Sequence, residues 1–263
     1  MLIDPNTWAK DGATALAEWS VSDDGARVAY AVQDGGTDWR TIRVLDVDTG
    51  RELVDELKWA RFTSMAWAKD GIGFFYTRFP EPKQGAAAQA NVGNHAVYFH
   101  EVGKPQAQDR LVYATPDQPT MLHFLTMTKD GRYLSMFSTA GSTIVNALTV
   151  IDLQSVAWKP RKLFDDASNL WDVVGNVGTT FFINTTKDAP RLKMVTMDIA
   201  AAKPEVTDLV PEQDAVMTGA SLVGGRLLLS YMVDVKTEVR RYTLEGKADG
   251  VVKLPGIGTA FRL

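Results

Sequence analysis

The chain of 263 residues has no cysteine, three histidines and no excess of basic charge. Without cysteine there is no disulfide, no thiolate metal site and no cysteine nucleophile, which fits a cytosolic or a periplasmic protein. A formal net charge of −4 gives no basic footprint for nucleic acid. No apolar run approaches the roughly 18 residues a membrane helix needs. The start, Met1-Leu-Ile-Asp-Pro, has neither the basic nor the hydrophobic region of a secretory signal. The expectation is therefore a soluble protein with no nucleic-acid or membrane partner. No phosphate-cradling glycine loop and no G-x-S-x-G nucleophile elbow occurs. Helix is scarce too: the best candidate, Asp11 to Glu18, is short and contains Gly12.

What the chain does have is a recurring pattern of apolar strand, tight Asp-Gly turn and second apolar strand. It appears as Trp19-Ser-Val-Ser-Asp-Asp-Gly25-Ala-Arg-Val-Ala-Tyr30 and again as Met65-Ala-Trp-Ala-Lys-Asp-Gly71-Ile-Gly-Phe-Phe-Tyr76. A third copy is Phe124-Leu-Thr-Met-Thr-Lys-Asp-Gly131-Arg-Tyr-Leu-Ser-Met136, and a weaker one centres on Gly224-Gly225. Glycine supplies positive φ in such turns at low cost. The clear copies are roughly 45 to 60 residues apart, the period of β-propeller blades in an all-strand sequence. Alternating segments such as Thr41-Ile-Arg-Val-Leu-Asp-Val47, followed by outer strands such as Glu52-Leu-Val54, extend each hairpin to four strands.

The expected fold is all-β, a propeller of about five four-stranded antiparallel blades in a single domain over 1–263. The blades fall at approximately 15–58, 62–115, 121–165, 170–211 and 216–255. The second begins at Phe62, and its third strand, His95 to His100, follows an insert from Pro80 to Asn94 that reads as an exposed mobile loop. Strand-like ends at 1–5 and 259–263 (Leu2-Ile3 and Thr259 to Leu263) are placed to close the ring. If it closes, the chain is a monomer; if not, its edge strands drive self-association.

The histidines offer little chemistry. His95 and His100 differ by five on one strand, so they point to opposite faces and do not make a metal pair. His123 lies near an inner strand, where it lines the channel or, as the better reading, is a hydrogen-bonded structural residue. Asp46 and Asp48 resemble the start of a calcium loop, but further oxygen ligands and a closing Glu do not follow, leaving a turn. The seven tryptophans are read as packing between sheets. No metal and no cofactor is expected.

Over nearly the whole chain an ordered series of motifs resembles the propeller of the prolyl oligopeptidases, a family of serine peptidases that cut after proline in short peptides. The series includes Asp4-Pro-Asn, Ser22-Asp-Asp-Gly25, Asp38-Trp-Arg-Thr-Ile42, Lys58-Trp-Ala-Arg-Phe-Thr-Ser-Met-Ala-Trp67, Val97-Tyr-Phe-His100, Thr128-Lys-Asp-Gly-Arg-Tyr133, Leu209-Val-Pro-Glu212 and Tyr231-Met-Val-Asp-Val-Lys236. It is similar to a bacterial member. The resemblance implies a seven-bladed propeller over an α/β-hydrolase domain with a Ser-Asp-His triad, restricting access to short proline-containing peptides. This chain begins part-way into that propeller, stops before its last blades and has no hydrolase domain, so no catalytic residue is expected in it. The resemblance places substrate-pocket residues at Phe62, at Met121 or Leu122, and at Thr139 and Ser142, where some relatives carry Arg and Cys. Phe62 has inter-blade packing as its alternative role. Three functional classes follow: an excised or engineered propeller scaffold without catalysis, an independent protein- or peptide-binding module, and an active hydrolase lacking a visible nucleophile.

Overall fold

The computed structural model describes residues 2–82 and 93–260. Its strands make five four-stranded antiparallel sheets, each wound in chain order. The first holds β1 (Ala15–Val21), β2 (Arg27–Gln33), β3 (Arg40–Asp46) and β4 (Arg51–Ala60). The second holds β5 (Met65–Trp67), β6 (Gly73–Arg78), β7 (Ala96–Glu101) and β8 (Arg110–Ala114). The third holds β9 (Met121–Met127), β10 (Tyr133–Ala140), β11 (Ala147–Asp152) and β12 (Arg161–Phe164). The fourth holds β13 (Trp171–Val177), β14 (Thr180–Thr185), β15 (Lys193–Asp198) and β16 (Thr207–Val210). The fifth holds β17 (Val216–Val223), β18 (Arg226–Val233), β19 (Lys236–Tyr242) and β20 (Ala248–Val252). These are the blades of a β-propeller, and the Asp-Gly turns at Gly25, Gly71 and Gly131 all take positive φ as the repeat required.

The blades fall into two compact units, one of residues 1–143 and 148–165, the other of 144–147 and 166–263. In the first unit the second strand of each blade is buried on both faces, so its apolar run is continuous rather than alternating. Successive side chains of β6 then serve different neighbours. Phe74 and Tyr76 pack with Ala29, Ile42, Val44 and Leu57 of the first blade. Phe75, between them in sequence, packs with Leu125, Leu134 and Met136 of the third. Each such side chain contributes about 1.5–3 kcal/mol. Polar ties hold the innermost strands: the Trp67 indole donates to the Ser20 carbonyl at 2.9 Å and the Leu125 amide to Ser64 Oγ at 2.8 Å. Glycine is required at Gly73 by close approach, since a Cβ there would lie 2.1 Å from the His100 carbonyl oxygen.

In the second unit Phe182, Met194 and Val210 of the fourth blade meet Met217, Leu227, Leu229 and Tyr231 of the fifth. Asn146 acts as a piece of strand there, accepting from Trp171 N at 3.0 Å and donating to Trp171 O at 3.1 Å.

Several expectations are corrected. Leu2-Ile3 is not a strand: Asp4 caps a 3-10 turn over Pro5–Thr7, and Ile3 and Trp8 instead cover Val28, Tyr30 and Leu45. Thr259 and Ala260 are likewise outside any strand, while 261–263 lie outside the described residues. In keeping with the scarcity of helix, Asp11 to Glu18 is not helical, β1 starting at Ala15. The last strand of the first blade runs ten residues to Ala60, and the second blade starts at Met65 because Phe62 has left-handed backbone. Residues 83–92 of the expected loop also lie outside the described residues. Trp19 is 60% exposed, whereas Trp67 and Trp171 are buried as expected. His123 is fully buried and hydrogen-bonded to Ser138, which is the structural role preferred from the sequence.

Candidate functional site

The strand directions sort the connections of the first unit onto two ends. The Asp-Gly hairpins occupy one end, and the β2–β3, β4–β5, β8–β9 and β10–β11 connections occupy the other. The five substrate-pocket candidates all lie at this second end. Phe62 is in the β4–β5 connection, Met121 and Leu122 open β9, Thr139 closes β10 opposite Leu122, and Ser142 sits in the turn beyond. Phe62 is 38% exposed, Met121 and Leu122 are half-buried, Thr139 is buried and Ser142 is exposed. Thr139 Oγ1 lies 2.9 Å from Thr143 Oγ1, so this hydroxyl stabilises its own turn. A cavity of about 400 Å³ at the hairpin end, bordered by Val21, Trp67, Lys69 and Leu125, includes none of these residues.

Local strain marks the approach to Phe62. The β3–β4 ladder steps from Ile42↔Leu57 to Arg40↔Ala60, so Lys58 and Trp59 together oppose Thr41. That bulge puts Trp59 at φ 65°, and Phe62 follows at φ 49°. Bulky residues adopt this region at a cost of about 1–2 kcal/mol each, so neighbouring contacts must hold them. The Trp59 carbonyl accepts from Phe79 N at 3.0 Å, and Trp39 meets both Trp59 and Phe79 edge-on with ring centroids 6.0 Å apart. Arg61 stands between the two strained residues. Its guanidinium pairs with Asp38 at 2.6 Å and lies 5.0 Å from the Phe62 ring centroid and 5.7 Å from that of Trp39. Phe62 is thus presented at the surface on a cation–π support.

Behind this surface lies a buried histidine pair. His95 and His123 stack with centroids 5.8 Å apart, and Phe79 packs on His95 at 4.6 Å. The His123 backbone N–H donates to His95 Nδ1 at 2.9 Å; the His123 ring meets Ser138 Oγ at 2.8 Å and Thr115 Oγ1 at 3.3 Å. Burial, reinforced by His123, pushes the His95 pKa down to about 3 against a weaker opposing interaction with the Arg61 backbone. Burial likewise lowers His123 to about 4. Both are neutral at pH 7.

His100, at the other end of β7, behaves oppositely. Its ring is clamped between Asp109 (2.7 Å) and Asp55 (2.8 Å), with all three side chains sealed from solvent. Burial opposes its charge, but the hydrogen bonds and Coulomb attraction of the two carboxylates prevail and raise its pKa to about 9. Tyr76 Oη donates to Asp109 at 2.6 Å and Gly103 N to Asp55 at 2.6 Å. Gln106 completes the clasp, accepting from Lys58 N at 3.0 Å and donating to Lys58 O at 3.1 Å. Asp46, by contrast, accepts from Thr49 N at 2.9 Å and Thr49 Oγ1 at 2.6 Å, which is turn chemistry. No group of three potential metal ligands occurs among the described residues.

With this geometry in hand, the whole chain, residues 1–263, matches the family described as prolyl oligopeptidase, N-terminal beta-propeller domain. The chain belongs to that family. It is 34% identical over 261 residues to the prolyl endopeptidase of Elizabethkingia miricola, covering 99% of this chain and 36% of the relative. Against prolyl oligopeptidase A of Galerina marginata the identity is 31%, covering 94% and 36%. Among solved structures it is similar, at TM-score 0.90 and 37% identity, to one from a structural and mechanistic analysis of two prolyl endopeptidases, covering 99% of this chain and 36% of that one. It is also similar to prolyl oligopeptidase B of Galerina marginata bound to a 35mer hydrolysis and macrocyclization substrate, at TM-score 0.89 and 27% identity, covering 97% and 37%. The chain therefore spans about a third of the length of the relatives it matches.

The aromatic and guanidinium cluster around Phe62 and the two histidine arrangements were not assembled from the sequence. The Asp38-Trp-Arg and Lys58-Trp-Ala-Arg-Phe motifs contain all of the Phe62 cluster except Phe79, but Asp38 and Arg61 are 23 residues apart. Their pairing depends on the bulge, which leaves little trace in an alternating pattern.

Proposed function

We propose that this chain is a non-catalytic, substrate-gating propeller segment, with its loop end facing an α/β-hydrolase domain and short proline-containing peptides. In this reading Phe62, Met121, Leu122, Thr139 and Ser142 border the peptide site, and Phe62 supplies its apolar wall. The observation that carries the reading is Phe62 itself, a large aromatic side chain left half-exposed on strained backbone and braced by Arg61. Strain of this kind concentrates at ligand-contacting positions.

The histidine chemistry supports the non-catalytic part. Ser138 touches His123, but both are buried and the other ring nitrogen meets Thr115 rather than a carboxylate. His100 has its carboxylates but both ring nitrogens are occupied by them. Neither arrangement offers a nucleophile to a substrate. The purified chain is expected to leave a fluorogenic proline-containing peptide uncleaved; turnover blocked by a serine-directed inhibitor would overturn the reading. In the protein carrying a hydrolase domain, Phe62→Ala should raise KM about tenfold with kcat little changed, equivalent to ~1.4 kcal/mol of lost apolar contact. An unchanged KM would remove Phe62 from the site.

A further inference from the structure

We propose that His95 is a positioning residue, and that the buried His95–His123 pair sets the placement of Phe62 relative to Leu122 and Thr139. The inference rests on the functional reading above for its purpose, but its geometry stands separately.

His95 occupies the step just before β7, in the second blade, and other elements engage its ring, His123 through one edge and by stacking, Phe79 by packing. Its Nδ1 accepts the backbone N–H of His123, the residue after Leu122. A ring nitrogen that accepts carries no proton, so neutral His95 holds its proton on Nε2. That nitrogen is buried without a hydrogen-bond partner, while the ring packs on Phe79, whose backbone N–H donates to the Trp59 carbonyl at 3.0 Å in the segment leading to Phe62. Through Phe79 on one side and its own Nδ1 on the other, one imidazole therefore links the segment that leads to Phe62 with the strand that bears Leu122. The second imidazole extends the link: His123 meets Ser138, which pairs with it across the ladder and precedes Thr139.

The pair also lies within a run of touching rings. Trp59 meets Trp39, Trp39 meets Phe79, Phe79 packs on His95, His95 stacks on His123, and His123 meets Tyr113 edge-on at 5.1 Å. This run ties the bulge beneath Phe62, in the first blade, to the opening of the third. Apolar packing alone would fill this space equally well, and a leucine at 95 would do so without burying a polar ring. The imidazole adds direction: its Nδ1 acceptor fixes the His123 backbone at one separation and angle, as non-directional contact does not.

Variants at 95 separate this role from plain packing. Asparagine places an oxygen where Nδ1 stands and glutamine places one where Nε2 stands, while leucine offers neither. In the full chain at pH 7, His95→Leu should speed hydrogen exchange of the His123 amide at least tenfold and shift the Phe62 ring and Leu122 methyl resonances. The Ile183 amide, in the other unit, should keep its rate. His95→Asn should restore the His123 amide and both resonances, and His95→Gln should not. If His95→Leu does not fold, the Asn and Gln variants carry the test by the same contrast. Unmoved Phe62 and Leu122 resonances in the leucine variant, or equal behaviour of Asn and Gln, would overturn the inference. No peptide enters this measurement, so shifted resonances without any peptide effect of Phe62→Ala would sink the pocket reading and leave the positioning role standing.

Discussion

The two ends of strand β7 carry the same side chain in opposite states. His100 is buried between two carboxylates and holds its proton to about pH 9. His95, at the other end, is buried against a second imidazole and the Phe79 ring and stays neutral down to about pH 3. Both rings are sealed from water, so burial does not distinguish them. What differs is the partner. A carboxylate on each side of His100 makes the charged form the satisfied one, whereas the backbone N–H at His95 Nδ1 can be met only by an unprotonated nitrogen. The charged clasp sits at the hairpin end, away from the candidate peptide surface, and the neutral pair sits directly behind that surface.

The comparison breaks most visibly on deletion. His100→Leu leaves two buried carboxylates facing each other without their cation, a change of the kind that costs about 3–5 kcal/mol. His95→Leu leaves a single backbone N–H unsatisfied and replaces one ring by a similar volume, costing about 1–3 kcal/mol. Urea denaturation at pH 7 should therefore rank His100→Leu well below His95→Leu in midpoint. Equal midpoints would show that the carboxylates are relieved by protonation or water, and the contrast between the ends would lose its energetic meaning.

The same two ends should divide the pH dependence. The pKa of His100 is raised, so its contribution is complete below about pH 6.5, its unfolded value, and declines as pH rises through about 9. Those of His95 and His123 are lowered, so their contribution is complete above about 6.5 and declines as pH falls toward about 4 and 3. Each fully mismatched histidine contributes a slope of about 1.4 kcal/mol per pH unit. Asp55, held low by His100 and Gly103 despite the opposing effect of burial, adds to the acid loss only below the ordinary carboxylate range. Unfolding free energy measured from pH 4.5 to 9.5 should thus pass through a maximum near 6.5. His100→Gln should flatten the alkaline limb and leave the acid limb; His95→Asn should do the reverse. A single variant that flattened both limbs would mean that the two ends report one global transition.

How much of this was legible follows from what each feature leaves in the sequence. The blades were readable because each hairpin writes a turn, an apolar run and a glycine at fixed offsets, as Asp70-Gly71 and Asp130-Gly131 do. The candidate surface rests on single positions taken from the family resemblance, Phe62 among them, and a peptide measurement on the Phe62 variants is what tests it. The length of β4 was not, because Glu56 and Lys58 are polar on its solvent side and the bulge at Trp59 breaks the alternation. The partners of His100 were not either: Asp55 lies 45 residues away on the neighbouring blade, and a lone aspartate in an outer strand reads as solvated. The expected separation of His95 and His100 was right about direction and silent about chemistry, since opposite faces of one strand meet different blades. Terminal Leu2-Ile3 looked like a strand because it is apolar; the turn at Asp4 and Pro5 instead leaves Leu2 exposed and sets Ile3, with Trp8, over Val28 and Tyr30.

The smallest effect sharpens the distinction between stability and presentation. Phe62→Gly removes a ring that is more than a third exposed, together with a cation–π contact worth about 0.5–1 kcal/mol at an exposed site. It also relieves the left-handed backbone at φ 49°, which costs a bulky residue about 1–2 kcal/mol and glycine almost nothing. The two nearly cancel, so the melting midpoint should shift by no more than the equivalent of about 1 kcal/mol, in either direction. Capture of a proline-containing peptide by the complete protein should fall in the same variant. A large loss of stability would mean that Phe62 is a packing residue after all, and the loop end would then have to present its apolar wall through Met121 and Leu122.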